Sequence, residues 1–202
     1  MTAAPHGGPI ETERLILRGW READRAPFAA MNADPRVMAI FPSTLDRPAS
    51  DALVDRLQAH DAAHGFTFWA LEDRRSGEFA GFTGLVRVTF EAPFAPAVEI
   101  GWRLPTAFWG QGIASEAARA SLAFGFDRLA LPEIVSFTPN RHTASRRVME
   151  RIGMRHDPAG DFNHPKWAPG HPMQPFVLYR ISRAAWGETP TTEHDFPKEP
   201  TA

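Results

Sequence analysis

Gly110 and Gly112 stand two residues apart in a short loop. The loop follows an apolar run ending at Leu104 and precedes a helical pattern that opens at Ser115. Glycine has no Cβ atom, so two glycines let the backbone come close to a ligand. The first turn of a helix carries free N–H groups, and the helix dipole favours negative charge there. The order of strand, glycine loop and helix therefore predicts an anion-binding cradle.

This loop differs from the two best-known phosphate loops. It lacks the Gly-Lys-Ser/Thr of a Walker loop, and it lacks the third glycine of the dinucleotide fingerprint. The cradle therefore predicts a nucleotide-like ligand of another kind.

Composition and charge exclude several other functions. The chain has 202 residues with 22 basic and 24 acidic side chains, and no basic run of the kind that binds nucleic acid. The absence of cysteine excludes disulfides, thiolate metal sites and a cysteine nucleophile. Residues 1–9 lack the features of a signal peptide, and no apolar run approaches the roughly 20 residues of a membrane span. We expect a cytoplasmic protein without a nucleic-acid or membrane partner.

Periodicity and turn residues predict the elements that position the loop. Alternating or short apolar runs predict six strands, at 12–20, 66–71, 79–88, 97–104, 133–138 and 176–181. Helical spacing predicts helices at 22–41 (two short helices, interrupted near 34–35), 50–64, 115–129 and 140–151. A meander followed by alternating strands and helices predicts an α/β (α+β mixed) fold, a mixed sheet with helices on its faces.

The ends of the chain differ in composition from this central part. We expect a flexible tail over residues 1–9, a single domain over 10–186, and a flexible Pro-rich tail over 187–202.

Three segments together resemble one family. The loop at 109–114 with Ser115-Glu-Ala117 resembles motif A of the GNAT (GCN5-related) N-acetyltransferases. The segment Asn140-Arg-His-Thr-Ala-Ser145, continued by Met149-Glu-Arg-Ile-Gly-Met154, resembles motif B. Thr12-Glu-Arg-Leu-Ile-Leu-Arg18 and the Trp-Gly-x-Gly form of the loop resemble the RimJ/RimL-type branch.

The resemblance implies both a fold and a reaction. The fold would be a mostly antiparallel, six- to seven-stranded mixed sheet with helices on both faces, splayed between the fourth and fifth strands. The reaction would be transfer of an acetyl group from acetyl-CoA to a primary amine, by direct attack in a ternary complex.

Family motifs also imply which residues bind acetyl-CoA. Backbone amides of the loop and the first helical turn would hold the pyrophosphate: Gly110, Gln111, Gly112, Ile113, Ala114 and Ser115. Backbone groups of Trp102, Arg103 and Leu104 would pair with the pantetheine arm like an added strand. Asn140 would bond the same arm, although it could also serve only as a helix N-cap.

Two side chains are candidates for the proton transfers. Glu99 is the candidate base because it precedes the expected thioester position and a partly buried Glu can have a raised pKa. In many family members a tyrosine on the motif B helix acts as the general acid. This chain has no tyrosine there, because its single tyrosine is Tyr179. In the RimJ/RimL-type branch a serine replaces this tyrosine, and the matching residue here is Ser145. Its hydroxyl could stabilise the negative charge that develops on the sulfur of the leaving thiolate. Glu99 could instead be a structural carboxylate. Ser145 could instead face solvent or bond the carbonyl of residue 141.

A loop rich in Pro, His and Asp runs from residue 156 to 175. We expect it to line the acceptor pocket, where His164 or His171 could contact the substrate or act as the base, and a water is a further candidate base. The spacing of these residues matches no metal-binding pattern, so no metal site is predicted.

The acceptor is left open. The resemblance allows a protein N-terminal amine or a small-molecule amine such as a free amino acid, a polyamine or an aminoglycoside. Acyl-chain preference is also open, as is the choice between a monomer and a homodimer. Two other functions are alternatives: a non-catalytic acyl-CoA-binding sensor or partner module, which the missing tyrosine favours, and nucleotide binding through the glycine loop.

Overall fold

The structure is a computed structural model and describes residues 8–188. Within that range, nine strands form one sheet. In chain order they are β1 (Ile10–Glu11), β2 (Leu15–Arg18), β3 (Phe68–Asp73), β4 (Phe79–Arg87), β5 (Val98–Arg103), β6 (Glu133–Pro139), β7 (Arg155–His156), β8 (Phe162–Asn163) and β9 (Pro175–Ser182). The helices are α1 (Arg25–Ala33), α2 (Arg47–His64), α3 (Ile113–Ala123), α4 (Thr143–Arg151) and α5 (Arg183–Glu188).

The sheet is mixed, as the order of elements predicts, and mostly antiparallel, as the resemblance implies. Its strand order is β1-β2-β3-β4-β5-β6-β9-β7, and β8 also pairs with β9. The pairing of β5 with β6 is parallel and the other pairings are antiparallel. The six predicted strands correspond to β2 through β6 and β9, and the three additional strands have only two residues each.

The sheet opens between β5 and β6, which are the predicted fourth and fifth strands. A single residue pair, Glu99 with Val135, joins them in the strand ladder. The Ser136 hydroxyl donates a hydrogen bond to the carbonyl of Ile100 at 2.9 Å. From Gly101 to Arg103, β5 has no ladder partner on β6, so its backbone borders an open cleft.

Apolar side chains bury the two faces of the sheet in separate clusters. Ile100 of β5 belongs to the larger cluster, which includes Ile113 and Leu122 of α3. The opposite face packs against α1 and α2 through a cluster that includes Phe28 and Val54. Helices therefore cover both faces, as the resemblance implies.

Several helix boundaries differ from the prediction. Only α1 forms within 22–41, preceded by a 3-10 turn at 22–24, and residues 35–40 form turns instead of a second helix. Helix α2 begins before Ser50 because Asp46 is its N-cap, and the Asp46 carboxylate accepts the Ala49 N–H at 2.8 Å. Helix α3 passes into a π-helical turn at 124–128.

The predicted tails fall mostly outside the described residues, which exclude 1–7 and 189–202. At the carboxyl end, Gly187 and Glu188 belong to α5, so regular structure extends two residues beyond the predicted boundary of 186.

Candidate active site

The glycine loop presents free backbone donors at the start of α3. Among residues 8–188, no acceptor receives a hydrogen bond from any of the six N–H groups from Gly110 to Ser115. The first bonded amide is that of Glu116, which donates to the carbonyl of Gly112 at 3.0 Å. Gly110 and Gly112 have φ of 73° and 80°, a left-handed conformation that glycine adopts without steric cost. A run of unpaired amides at a helix N-terminus is suited to an anion.

The amino-terminal strand region holds this loop in place. The Arg14 guanidinium donates to the carbonyl of Gln111 at 2.8 Å and to the carboxylate of Glu116 at 2.6 Å. The Thr12 hydroxyl donates to the same carboxylate at 2.6 Å. Ser115 adds a hydroxyl oxygen that is buried without a hydrogen-bond partner among the described residues. The positioning role of Arg14 was not predicted, although Arg14 lies in the Thr12–Arg18 segment.

A cavity of about 140 Å³ lies where β5 and β6 separate. Its apolar lining is largely aromatic and includes Phe41, Phe68, Phe82, Phe137 and Phe176. Its polar lining includes Glu99, Arg103, Ser136, Thr138, Ser145 and Lys166. The cavity therefore contains both predicted catalytic residues, Glu99 and Ser145. It also contains two cationic side chains, Arg103 and Lys166, for which the sequence predicted no side-chain role.

Glu99 lies on the cavity face of β5. Successive side chains of a strand point to opposite faces, so Glu99, Gly101 and Arg103 share the face opposite Ile100. A Cβ at Gly101 would lie 2.9 Å from the ring of Phe68, so glycine between the two charged residues makes room for that ring. Burial raises the pKa of Glu99 to about 8, and the positive charge of Lys166 opposes that rise.

The Arg103 side chain has a hydrogen-bond partner at one nitrogen and, among the described residues, none at its Nε. One of its terminal nitrogens donates to the side-chain oxygen of Asn32 at 2.6 Å, and its guanidinium carbon lies 4.1 Å from the ring centroid of Phe41. Its Nε is buried without a hydrogen-bond partner among residues 8–188. Burial lowers the pKa of Arg103 to about 10, and it remains positively charged at neutral pH.

Lys166 reaches the cavity from the loop between β8 and β9. Lys166 is an exposed residue, but its ammonium nitrogen lies 5.0 Å and 4.9 Å from the ring centroids of Phe41 and Phe176. Burial lowers the pKa of Lys166 to about 8, with Glu99 opposing and Arg103 assisting the shift. Both charged neighbours on β5 are thus within electrostatic reach of this lysine.

Ser145 lines the cavity from α4. It is 9% exposed, and its hydroxyl makes no hydrogen bond with any described residue, including the carbonyl of Arg141. Tyr179 lies elsewhere, in the buried part of β9. Its hydroxyl donates to Glu150 at 2.9 Å and accepts from Arg146 at 3.2 Å. These contacts engage the tyrosine hydroxyl outside the cavity.

The other predicted contacts lie around the cavity or beyond it. Trp102 lines the cavity, whereas Leu104 is buried and its carbonyl accepts a hydrogen bond from the Trp109 indole at 2.9 Å. Asn140 is exposed, and its backbone N–H donates to the carbonyl of Pro175 at 3.0 Å. The predicted helix start at Asn140 is wrong, because α4 begins at Thr143 and its N-cap is His142. Asn140 is therefore not the N-cap.

The histidines of the 156–175 loop have structural contacts. His164 is buried among aromatic rings, and its Nδ1 accepts the Lys166 N–H at 3.2 Å. Burial lowers the pKa of His164 to about 4, so this side chain is neutral. His171 stacks on Trp167 with ring centroids 4.2 Å apart, and His156 pairs with Asp161 at 2.9 Å. The loop contributes Lys166 to the cavity, and none of these histidines lines it.

Two negative findings apply to residues 8–188. No group of three or more His, Cys, Asp or Glu side chains there is arranged to hold a metal ion. No helix in that part of the chain is long and apolar enough to cross a membrane.

The chain is similar to known proteins of one family. Residues 14–155 match the family described as acetyltransferase (GNAT) domain. The uncharacterized protein YkkB of Bacillus subtilis (strain 168) is 34% identical over 148 residues, which are 73% of this chain and 85% of YkkB. The FsC-acetyl coenzyme A-N(2)-transacetylase of Aspergillus fumigatus is 30% identical over 188 residues, which are 88% of this chain and 77% of that enzyme.

Solved structures share the fold. A GNAT-family acetyltransferase from Bacillus anthracis superposes with a TM-score of 0.72 at 25% identity, covering 87% of this chain and 99% of that one. RimL, a ribosomal L7/L12 alpha-N-protein acetyltransferase in complex with coenzyme A, superposes with a TM-score of 0.69 at 18% identity, covering 86% of this chain and 97% of that one.

Proposed function

Since the chain belongs to the GNAT family of acetyltransferases, which use acetyl-CoA, we propose that it acetylates a primary amine by direct attack within a ternary complex. The observation that carries the proposal is the run of six unpaired amides from Gly110 to Ser115 beside the open edge of β5. A pyrophosphate needs several N–H donors, and this run supplies them at a helix N-terminus.

The roles of the cofactor-binding residues follow from this arrangement. The loop amides and the first turn of α3 bind the pyrophosphate. Arg14 keeps the loop in shape through its bond to the carbonyl of Gln111. On the edge of β5 that faces the cleft, the backbone groups of Trp102 pair with the amides of the pantetheine arm, whereas the backbone of Arg103 faces β4. The exposed side chain of Asn140 bonds the same arm.

Glu99 is the proposed base. The amine nitrogen forms a bond to the thioester carbon, the carbon–sulfur bond breaks, and the proton lost by the amine goes to the Glu99 carboxylate. The raised pKa of Glu99, about 8 because of burial, suits a group that must accept this proton near neutral pH. Two cations in the same cavity support the step, because positive charge nearby favours the neutral, nucleophilic form of the amine.

Ser145 is the proposed partner of the leaving sulfur. Its hydroxyl lines the cavity and has no hydrogen-bond acceptor among the described residues, so it is free to donate to a developing thiolate. The thiolate then takes up a proton from water while Glu99 returns its proton to water, and the products are an N-acetylated amine and free CoA. The engagement of Tyr179 with Glu150 supports serine over tyrosine in this role.

Thiol release tests the proposal. The protein with acetyl-CoA should release CoA only when an amine is added, and mass spectrometry should find the acetylated amine. The panel should contain amino acids, amino acid amides, spermidine, an aminoglycoside and a peptide with a free N-terminus. Binding of acetyl-CoA without turnover on any of these amines would instead support the non-catalytic module.

A further inference from the structure

The cavity beside Glu99 is lined by two cations, Arg103 and Lys166, that form no ion pair with a carboxylate of the described residues. Among residues 8–188, neither Arg103 nor Lys166 is within 4.0 Å of a carboxylate oxygen. Arg18, which is buried, instead pairs with Asp24 at 2.7 Å and with Glu72 at 2.6 Å. The Arg103 side chain is half-buried, but its Nε is a buried donor without an acceptor among the described residues, which is costly unless a ligand supplies one.

These cations lie on the acceptor side of the sheet, away from the phosphate cradle. Arg103 projects from the face of β5 opposite Ile100, and Ile100 packs in the same cluster as Ile113 of α3. The neighbours of Arg103 are Asn32 of α1, Phe41 and Phe82. The phosphates of acetyl-CoA, bound at the N-terminus of α3, would therefore not reach the Arg103 side chain.

The proposed base Glu99 and the two cations, Lys166 and Arg103, line the same cavity. Glu99 and Arg103 are four residues apart on one strand face, and Lys166 interacts electrostatically with both of them. An acceptor that places its amine at Glu99 can therefore place an anionic group at Lys166 and Arg103. The cavity volume of about 140 Å³ is close to the roughly 150 Å³ of an apolar cavity that accommodates benzene, enough for a small head group.

We propose that the acceptor is a small amine that also carries a carboxylate, an amino acid with an apolar side chain, and that Arg103 and Lys166 bind the carboxylate. A guanidinium matches a carboxylate in shape and charge. Phe68, Phe82 and Phe137 form the apolar part of the wall. Polyamines and aminoglycosides are disfavoured, because they would bring additional positive charge toward two cations.

The inference rests on the proposed acetyl transfer, and matched acceptors test it. Acetylation of L-phenylalanine is compared with that of L-phenylalaninamide, and acetylation of 4-aminobutyrate with that of 4-aminobutanamide. Spermidine and a peptide amide complete the set. The wild-type protein should prefer at least one acid over its amide by about 10- to 100-fold in kcat/KM, the range expected for a charge-assisted contact.

Two variants test whether Arg103 and Lys166 cause the preference for acids over amides. Arg103→Met should reduce the acid-to-amide ratio to within about threefold, and Lys166→Met should reduce it by about tenfold. Arg87→Met removes an exposed arginine from the neighbouring strand β4 and should leave the ratio unchanged. Stabilisation of each variant by acetyl-CoA against heat shows that it is folded. An unchanged ratio in folded Arg103→Met and Lys166→Met would overturn the assignment of these cations.

Product binding separates this inference from the acetyl-transfer proposal. Calorimetry in the presence of CoA should detect tighter binding of N-acetyl-L-phenylalanine or 4-acetamidobutyrate than of the corresponding amide, and Arg103→Met should abolish the difference. Absence of turnover on every amine would refute the acetyl-transfer proposal alone if this binding preference is present. Equal use of acids and amides, better use of spermidine or the peptide, or equal binding of the two product forms would overturn the inference.

Discussion

At the scale of single residues, Glu99 has the environment that a proton acceptor needs. It is half-buried at the point where β5 leaves β6, and its carboxylate has no hydrogen bond or salt bridge with any described residue. Burial without a hydrogen-bond donor disfavours the charged form, which is why the pKa of Glu99 rises to about 8. Lys166 limits the rise, so a fraction of Glu99 is ionised at neutral pH.

The first prediction concerns catalysis by Glu99. Glu99→Gln should lower turnover by about 10²–10⁴ and leave acetyl-CoA affinity nearly intact, because the amide cannot accept the proton. A base works in its ionised form, so the ratio of wild-type to Glu99→Gln kcat/KM, in which the ionisation of the acceptor amine cancels, should rise with pH and level off above about pH 8. Steady-state kinetics and calorimetry measure these quantities. Glu91→Gln, at an exposed carboxylate, is the matched control. Unchanged turnover in Glu99→Gln would remove Glu99 from the base role.

A second prediction follows from the same pKa and concerns stability. Between its ordinary value of 4.5 and about 8, Glu99 binds a proton in the folded protein that it releases on unfolding. Rising pH therefore lowers the free energy of unfolding of the wild type through this group. Glu99→Gln removes that effect. Its Tm should match the wild type near pH 4.5, exceed it increasingly up to pH 8, and differ by a constant amount above.

We expect the Tm difference of Glu99→Gln at pH 8 to be about 2–8 °C, or about 1–2 kcal/mol, since Lys166 and cavity water screen part of the burial cost. Thermal unfolding followed by circular dichroism at several pH values measures it. A Tm difference that is constant from pH 4.5 to 8 would contradict the raised pKa.

At the scale of elements, the loop before α3 is shaped by backbone conformation and by one arginine. Two left-handed glycines turn the chain, and six N–H groups remain unbonded within the described residues. Arg14 holds the carbonyl of Gln111, which keeps that carbonyl bonded to a cation close to the proposed anion site. The cradle is therefore assembled from the start of the chain and from its middle.

A third prediction tests the cradle as an element. Gly112→Val places a β-branched residue at a φ of 80° beside the amides, so acetyl-CoA affinity should fall at least tenfold. Gly77→Val, in the turn between β3 and β4, introduces the same side chain at a φ of 73° with no heavy atom near its Cβ. It should cost similar stability and leave affinity unchanged. Normal acetyl-CoA binding by folded Gly112→Val would refute the loop assignment.

At the scale of the whole molecule, one sheet separates two packed faces, and within residues 8–188 it opens between β5 and β6. The cluster that includes Leu122 supports α3 and its free amides, and the cluster that includes Phe28 supports the face that carries the Glu99 and Arg103 side chains. The cleft joins the two sides, because the backbone of β5 borders it while the Glu99 and Arg103 side chains face the cavity. A ligand that fills the cleft should therefore stabilise the entire fold.

The fourth prediction is that acetyl-CoA raises the Tm in a concentration-dependent way. A ligand at 100 times its Kd contributes about 2.7 kcal/mol, which corresponds to a rise of about 5–11 °C for a protein of this size. Differential scanning fluorimetry with acetyl-CoA and with ATP at equal concentration measures the effect. ATP lacks the pantetheine arm and should give a much smaller shift. Equal stabilisation by ATP would instead favour the nucleotide-binding alternative.

Local pattern was sufficient for much of the fold. Alternating or short apolar runs predicted the six longer strands, because a half-buried strand repeats every two residues and a fully buried one is apolar throughout. Two glycines before a helical pattern predicted the cradle, because both its geometry and its charge are properties of contiguous backbone. The boundaries that were wrong depend on side chains or turns, such as the Asp46 cap of α2 and the turn from Pro139 to His142 before α4.

The sequence by itself determined the fold class, the glycine loop before α3 and the place of Glu99 on its strand, since each depends on neighbouring residues. Only the tertiary structure decided which distant side chains share a cavity. Lys166 lies in the 156–175 loop, where the sequence predicts His164 or His171 as a substrate contact or base. The lysine lines the cavity, whereas His164 packs among aromatic rings. The physical reason is that the pKa and the binding role of a charged side chain depend on its burial and on its neighbours in space, and chain order specifies neither.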